Sequence, residues 1–153
     1  MAQSTIRFES RTRIGRPTSV VFDRLADLPS YQGWMHRTGL FRRCGLVSEG
    51  PVQSGTEYFD ATRMGTFNGR VTAFQPPSRI AFVETLRLFG SDVMEARPEF
   101  SLEKDDLDGT LLHHVAEGRL FGIMRLMKPF AALMAKAERT RTVESLRRSL
   151  ERA

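Results

Sequence analysis

The sequence predicts an α+β protein with a seven-stranded antiparallel sheet, two short helices after the first strand and a long C-terminal helix. Three observations support this prediction. Polar and apolar residues alternate near the N-terminus, six further extended runs follow between residues 40 and 117, and apolar residues recur at helical spacing over 121–152. The runs of the middle region are joined too closely for crossover helices, so neighbouring strands must run antiparallel.

The N-terminal part contains one strand and two short helices. Residues 6–14 alternate strictly, with apolar or small residues on one side and arginine or glutamate on the other, as a strand with one dry face requires. Pro17 has the backbone angle of a helix's first turn, and apolar residues follow at helical spacing until Pro29 ends that helix. A second short helix is predicted around Tyr31 and Trp34.

The middle region predicts six strands separated by turn residues. Gly65 stands where a tight hairpin needs a positive φ, and the sequence Pro-Pro-Ser at 76–78 indicates a turn. The predicted strands are 41–48, 56–64, 66–75, 79–88, 92–104 and 110–117.

The C-terminal segment 121–152 predicts a helix that would extend for roughly 45 Å at about 1.5 Å per residue. Pro129 lies inside the pattern, so the helix either begins there, after a separate turn, or kinks. Its predicted inner stripe comprises Ile123, Met127, Phe130, Met134 and Ala137, with Leu126 and Leu133 beside it, and is extended by Val143, Leu146 and Leu150.

Length and composition are those of one ordinary globular domain over residues 1–153, which excludes wholesale disorder and fibrous repeats. No apolar run is long enough for a transmembrane helix, and the N-terminus lacks the apolar core of a signal peptide, so we expect a cytoplasmic protein. Cys44 is the single cysteine, which excludes an intramolecular disulfide.

The formal net charge of +5 is concentrated in residues 128–152, where seven basic side chains accompany three acidic ones. This segment is either a solvated helix face with internal ion pairs or a surface for an acidic partner. Aromatic residues are not interleaved with the basic ones, so we expect no specific binding of nucleic acid.

Four segments, in order along nearly the whole chain, carry a resemblance to a known family. They are the opening RPTSVVFDRLAD at 16–27 with the aromatic pair that follows it, GTEY at 55–58, VTAFQPPSRIAF at 71–82 and GTLL at 109–112. With them the chain resembles the SRPBCC (START-like) superfamily, in its branch of polyketide cyclase/dehydrase and lipid transport proteins. The resemblance implies the helix-grip fold, in which the long helix crosses the concave face of a curved sheet.

The resemblance also implies a cavity between sheet and helix that holds one apolar ligand, but it supplies no shared catalytic residue. The alternation of the strands places Phe67, Val71 and Ala73 on the inner face, although a register error of one residue would reverse this. Met35 and other residues of the short and long helices would lie across the mouth; the alternative is a plain core in which methionine fills gaps. The predicted ligand-binding residues are Trp34, Tyr58, Phe67, Val71, Phe82, Met94, Phe100, Leu112, His114, Met127, Phe130 and Met134.

Four side chains are candidates for catalysis because they are polar groups on otherwise apolar faces. Asp60, Glu84 or His114 could move protons at carbon next to a carbonyl, as aldol cyclisation and dehydration require, and Tyr58 could bind a developing enolate. Alternatively, the carboxylates point to solvent or pair with nearby arginines, and His114 is a satisfied core histidine. Adjacent strand residues point to opposite faces, so His113 and His114 cannot bind one metal ion together. No metal or cofactor is predicted.

The function that these expectations favour is a carrier or sensor for a small hydrophobic molecule such as a lipid or polyketide, as a monomer or homodimer. One alternative is a polyketide aromatase/cyclase or dehydratase that uses acid and base groups in the cavity. A second alternative, suggested by the basic C-terminal segment, is a ribosome- or quinone-associated factor of the same superfamily.

Overall fold

A computed structural model of the protein describes residues 4–34, 41–62 and 65–152. Seven strands form one antiparallel sheet in the spatial order β1-β7-β6-β5-β4-β3-β2, so β1 and β2 are its edges. The strands are β1 (Ser4–Ile14), β2 (Phe41–Leu46), β3 (Glu57–Thr62), β4 (Thr66–Gln75), β5 (Arg79–Leu88), β6 (Ser91–Lys104) and β7 (Thr110–Leu120).

The helices of the described ranges also follow the predicted order. The predicted fold class, a curved antiparallel sheet with two short helices after β1 and a long C-terminal helix, is confirmed. The helices are α1 (Thr18–Ala26), α2 (Tyr31–Trp34) and α3 (Lys128–Glu151), with short 3-10 helices at Leu28–Ser30 and Gly122–Arg125. None of these helices is both long and apolar enough to cross a membrane.

Turn chemistry explains why the strands end where they do. Gly65 has a φ of 147°, so the predicted positive φ before β4 is confirmed. The predicted turn at 76–78 joins β4 to β5 and contains a cis bond between Pro76 and Pro77. Arg63 and Met64, which the sequence assigned to the third strand, lie outside the described residues, as does Met35.

The predicted inner position of Ala73 is wrong because β4 contains a bulge. Val71 pairs with Phe82 but Ala73 pairs with Ala81, so one strand has an extra residue at this point. The extra residue reverses the alternation beyond it. Phe74 therefore packs on the core, edge-on to the ring of Phe22.

The start of the C-terminal helix follows the first of the two alternatives left by Pro129. A separate 3-10 turn precedes α3, and Pro129 lies in the first turn of α3, where a missing N–H breaks no helical hydrogen bond. The predicted inner stripe is wrong in its first part, where Ile123, Met127, Phe130 and Ala137 are exposed, and correct in its extension to Val143, Leu146 and Leu150, which are buried. The buried residues of α3 are Ala131, Glu138, Thr142, Val143, Leu146 and Leu150.

The two halves of α3 meet different surroundings. Its C-terminal half joins the main hydrophobic core through Val143, Leu146 and Leu150, which pack with α1 and the inner face of the sheet. In its N-terminal half only Ala131 joins the smaller cluster around Phe67. The molecule is thus solidly packed at one end, and the other end is where the site described next is found.

Candidate functional site

A cavity of about 560 Å³ lies between the N-terminal half of α3 and the inner face of the sheet. Its volume is within the range of pockets that hold drug-sized ligands. The apolar wall consists of Ile6, Phe8, Phe67, Leu86, Met94, Ala96, Ala116, Gly118, Met124, Met127, Phe130, Ala131, Ala132, Met134 and Ala135. The polar lining consists of Thr5, Arg7, Glu84, Glu117, Lys128, Lys136, Glu138 and Arg139.

Small residues on both facing surfaces keep this cavity open. On the sheet, Ala96 and Gly118 are paired neighbours on β6 and β7, and on α3 the residues Ala131 and Ala135 are one turn apart. None of these side chains has an atom beyond Cβ, so none can fill the space between helix and sheet. Larger residues at the corresponding positions would produce the close packing that protein interiors normally have.

A cluster of polar side chains lies at the inner end of the cavity. The Tyr58 hydroxyl donates a hydrogen bond of 2.6 Å to Glu84 Oε1, and Asp60 also hydrogen-bonds Glu84. The Arg139 guanidinium is 3.8 Å from Glu84 Oε2. All four side chains are buried or nearly so, with Glu84 5% and Asp60 7% exposed.

Glycine on the intervening strand makes the contact between Tyr58 and Glu84 possible. Tyr58 on β3 pairs with Gly69 on β4, and Gly69 pairs in turn with Glu84 on β5. A Cβ on Gly69 would lie 2.3 Å from Cζ of the Tyr58 ring, which is far inside van der Waals contact. The ring therefore lies flat across the Gly69 backbone and delivers its hydroxyl to the next strand.

Burial controls the ionisation of this cluster. Removal from water raises the pKa of Asp60 well above its ordinary value, and the neighbouring charge of Glu84 raises it further. Burial, followed by the charge of Glu84, likewise raises the pKa of Tyr58. The raised pKa favours the protonated form of Asp60, which is the form that can donate the hydrogen bond to Glu84.

A second, much smaller cavity of about 30 Å³ adjoins the polar cluster. Glu84 and Arg139 line both cavities, so these two residues separate them. The indole N–H of Trp34 is buried here and has no hydrogen-bond partner among the described residues. The lining consists of Leu28, Tyr31, Trp34, Tyr58, Asp60, Phe82, Glu84, Pro98, Phe100, Arg139 and Thr142.

His114 is in the core and lines neither cavity. Its Nδ1 donates to the carbonyl of Glu99 over 2.9 Å, and its ring stacks on Phe100 with centroids 4.1 Å apart. Burial, reinforced by the positive charge of Arg139, lowers the pKa of His114 to about 3. The ring is therefore neutral at neutral pH, and we do not include it in the site.

The remaining predicted ligand-binding residues divide into three groups. Phe67, Met94, Met127, Phe130 and Met134 line the large cavity, whereas Trp34, Tyr58, Phe82 and Phe100 line the small one. Val71 and Leu112 are core residues that line neither.

Sequence reasoning missed Arg139, the alanines of α3 and the contribution of β1 to the cavity. A signal for the first two was present, since Ala131, Ala135 and Arg139 recur every four residues and so share one face of a helix. This recurrence is less conspicuous than the longer apolar side chains beside it, which are exposed in the structure. Phe8 and Ile6 were recognised as the dry side of β1, but which part of the protein covers β1 was not predictable.

Comparison with known proteins identifies the family. The family model described as polyketide cyclase / dehydrase and lipid transport matches residues 5–151. The chain belongs to this family. The resemblance seen in the sequence segments is thereby confirmed. No curated protein matches the chain.

Several solved structures share the fold of this chain at low sequence identity. A START superfamily protein from Mycobacterium smegmatis has a TM-score of 0.72 at 13% identity, with 99% of each chain covered. The Zhui aromatase/cyclase from Streptomyces has a TM-score of 0.75 at 13% identity, covering 97% of this chain and 94% of that chain. The di-domain aromatase/cyclase StfQ has a TM-score of 0.74 at 10% identity, and the match covers 97% of this chain and 52% of that one.

Aromatase/cyclases are therefore among the proteins that share this fold.

Proposed function

We propose that this protein binds a neutral, mostly apolar molecule in the large cavity, as a carrier or sensor. The observation that carries the proposal is the cavity of about 560 Å³ whose walls are mainly alanine, methionine and phenylalanine. Burial of apolar ligand surface supplies about 25 cal/mol per Å², and flexible methionines adapt to varied ligand shapes.

Arg139 supports a more specific statement about the ligand. Among the described residues its guanidinium faces one charged group, Glu84, at a separation too long for a hydrogen bond. Its N–H groups therefore remain able to bind an oxygen atom of a ligand. Glu84 already faces this guanidinium, so a carboxylate placed beside the pair would be a second buried acidic group next to the same arginine. A carbonyl or hydroxyl oxygen suits the position better than a carboxylate.

Substitution of one helix alanine tests whether the cavity holds the ligand. Ala135→Trp fills the cavity, whereas Ala137→Trp on the same helix changes an exposed residue that lines no cavity. We expect native mass spectrometry of the freshly purified protein to show a co-purifying apolar molecule with the Ala137→Trp variant and not with the Ala135→Trp variant. Equal ligand occupancy in both variants would contradict the proposal.

A matched pair of probes tests the role of Arg139. Calorimetry with acetylnaphthalene and ethylnaphthalene compares a ketone with a hydrocarbon of nearly the same shape. We expect Arg139→Met to weaken binding of the ketone about tenfold, as a lost hydrogen bond to a charged group implies, and to leave binding of the hydrocarbon nearly unchanged. Equal changes for both probes would show that Arg139 does not bind the oxygen.

The polar cluster favours a cyclase or dehydratase as the second candidate. In an aldol cyclisation Glu84 would accept the proton from carbon next to a carbonyl, and Arg139 would hydrogen-bond the enolate oxygen. The enolate carbon would then form a bond to a second carbonyl carbon, whose oxygen would take the proton back from Glu84 and become a hydroxyl group. For dehydration, Glu84 would remove a second proton from the same carbon and pass it to that hydroxyl, which would leave as water as the carbon–carbon double bond forms. Asp60, which lines the small cavity, would position Glu84 through their hydrogen bond. Tyr58 is a positioning residue here, since its hydroxyl is bound to Glu84.

Turnover of a synthetic poly-β-ketone separates this candidate from the carrier. We expect an enzyme to lose activity in Glu84→Gln while its affinity for the substrate stays within a few-fold. If neither the wild-type protein nor the Glu84→Gln variant turns over this substrate, the carrier function is favoured over the enzyme. The ribosome- or quinone-associated role remains a prediction, which co-sedimentation with ribosomes at physiological salt would test.

A further inference from the structure

An exposed apolar surface lies where β7 passes into α3. We call it the apolar patch and define it by Phe121, Ile123, Leu126, Met127, Phe130 and Leu133. Six of the ten large hydrophobic side chains that are exposed among the described residues belong to it. Three of them protrude strongly, because Ile123, Leu126 and Leu133 are 71%, 83% and 70% exposed.

The fold alone does not account for the apolar patch. Met124 and Ala131 are the buried residues of this segment, and they hold it to the sheet through the cluster around Phe67. The outward side chains contribute nothing to that contact. A contiguous apolar surface of this kind on a folded protein marks a place where something else binds.

The chain segment that carries the apolar patch has charged residues of one sign only. Between residues 119 and 137 there are four basic residues, Arg119, Arg125, Lys128 and Lys136, and no acidic residue. All four are exposed. Acidic residues return immediately outside the segment, at Glu117 and Glu138. The binding partner that complements this surface is therefore apolar and negatively charged.

A fully exposed aromatic residue lies at the same end of the molecule. Phe89 occupies the turn between β5 and β6 and is as exposed as in an extended peptide. The backbone N–H of Phe121 donates to the carbonyl of Val93 over 2.9 Å, which ties the beginning of the apolar patch to the first residues of β6 after that turn. The tip of this hairpin and the apolar patch thus belong to one edge of the protein.

The apolar patch is continuous with the mouth of the large cavity. Met127 and Phe130 are half-exposed, and both also line the cavity. A molecule leaving the cavity between them would meet the apolar patch before it met water. An apolar surface at the mouth shortens the exposure of an apolar ligand to solvent, provided that the surface itself is covered.

We infer that the apolar patch, its four basic residues and Phe89 form a surface that docks on an anionic lipid bilayer. Protruding apolar side chains would enter the region between headgroups and acyl chains, and the lysines and arginines would face the phosphates, as in proteins that bind at the membrane surface without crossing it. The inference depends on the proposed carrier function only for its purpose, which is exchange of the ligand with the bilayer.

Charge separates this partner from a second copy of the chain. In a twofold-symmetric dimer the same surface meets itself, so the basic residues of this segment in one copy would face those of the other. Such a contact is repulsive, whereas an anionic bilayer is attractive. An acidic protein would match the charge, but separately protruding apolar side chains suit a fluid bilayer better than a flat protein surface.

Sedimentation with lipid vesicles tests the inference. The full-length protein is mixed with vesicles of phosphatidylcholine alone and with vesicles of equal parts phosphatidylcholine and phosphatidylglycerol. We expect binding to the anionic vesicles only, and loss of that binding at about 1 M salt, where the Debye length falls to about 3 Å.

Two variants divide the surface into its apolar and basic parts without touching the cavity. The triple variant Ile123→Ser, Leu126→Ser, Leu133→Ser changes residues that do not line the cavity, and its control is Leu107→Ser, Leu111→Ser at another exposed turn and strand. The double variant Arg119→Gln, Arg125→Gln has Arg11→Gln, Arg70→Gln as its control. We expect at least a tenfold loss of vesicle affinity for the triple variant and roughly a twenty-fold loss for the double variant.

The outcomes separate this inference from the proposed function. Binding of acetylnaphthalene should be unchanged in the triple variant. Loss of vesicle binding by this variant would then not be due to damage to the ligand cavity. The inference would be overturned if the wild-type protein did not bind anionic vesicles. It would also be overturned if the controls lost as much affinity as the variants, or if the triple variant changed only the oligomeric state or the binding of an acidic protein.

Discussion

Burial shifts the pKa values of two ionisable side chains, Asp60 and His114, in opposite directions. Burial disfavours the charged form of each group, so it raises the pKa of Asp60 and lowers that of His114 to about 3. The fold therefore favours the protonated form of Asp60 and the neutral form of His114. Their contributions to stability have opposite slopes with pH, because the unfolded chain binds more protons than the fold at His114 and fewer at Asp60.

His114 should make the protein sensitive to acid. Its folded pKa is below the ordinary value of 6.5, so the unfolded state takes up a proton first and stability is lost as the pH falls from 6.5 towards 3. The full loss corresponds to about 5 kcal/mol of unfolding free energy. We expect His114→Phe to flatten the decline measured by denaturant unfolding between these pH values.

The neighbouring histidine provides the control for this measurement. His113 is partly exposed and hydrogen-bonds Glu9 over 2.5 Å on the outer face of the sheet. His113→Phe should keep most of the decline in stability between pH 6.5 and 3. A His114→Phe variant with the wild-type decline would mean that another group is responsible.

At the scale of single elements, the polar cluster depends on one strand position that has no side chain, Gly69 on β4. Gly69 on β4 leaves room for the Tyr58 ring to reach Glu84 across the strand between them. No helix contributes to this contact. The arrangement depends on the register of three strands and would be lost if any of them slipped by one residue.

Gly69→Ala should displace the Tyr58 ring and break its hydrogen bond to Glu84. We expect a loss of about 2 kcal/mol in unfolding free energy from overpacking. Gly33→Ala is the matched control, because a Cβ at Gly33 has no neighbour within 4 Å and alanine is favoured in a helix. Equal unfolding free energies for Gly69→Ala and wild type would show that the ring has another position available.

The limits of sequence prediction are clearest at the same scale. The bounds of β4 and β5 were predicted to the residue because turn-forming residues flank both strands. The inner face of β4 was predicted correctly up to Val71 and wrongly at Ala73, since a bulge has no separate signal in the alternation of residues. For α3 the predicted stripe is correct at Val143, Leu146 and Leu150, but in the N-terminal half of the helix it follows the most apolar side chains rather than the buried Ala131.

At the scale of the whole molecule, α3 joins a packed end to a hollow end. Its residues from Thr142 onward are anchored in the main core, whereas residues 128–137 cover the cavity and have one buried member, Ala131. Stability is unevenly distributed in such a helix, because few apolar contacts hold the part above the cavity. That part is also the one through which a ligand would pass.

Hydrogen exchange followed by mass spectrometry should resolve the two halves of α3. We expect amides in 128–137 to exchange faster than those in 142–151 in the ligand-free protein, and to slow when acetylnaphthalene occupies the cavity. Exchange in 142–151 serves as the internal control. Uniform protection along α3, with and without the probe, would contradict the division of the molecule into a packed and a hollow end.

The sequence by itself determined the order of the elements, the antiparallel sheet and the family, because alternation, helical spacing and turn residues are local properties of the chain. The tertiary structure decided which face of α3 is covered, that Arg139 meets Glu84, and that His114 is kept away from the cavity. These relations join residues far apart in the chain, from β5, β7 and α3, and depend on the distance between the helix and the sheet. That distance is set by the small side chains of both surfaces acting together, and no single segment contains it.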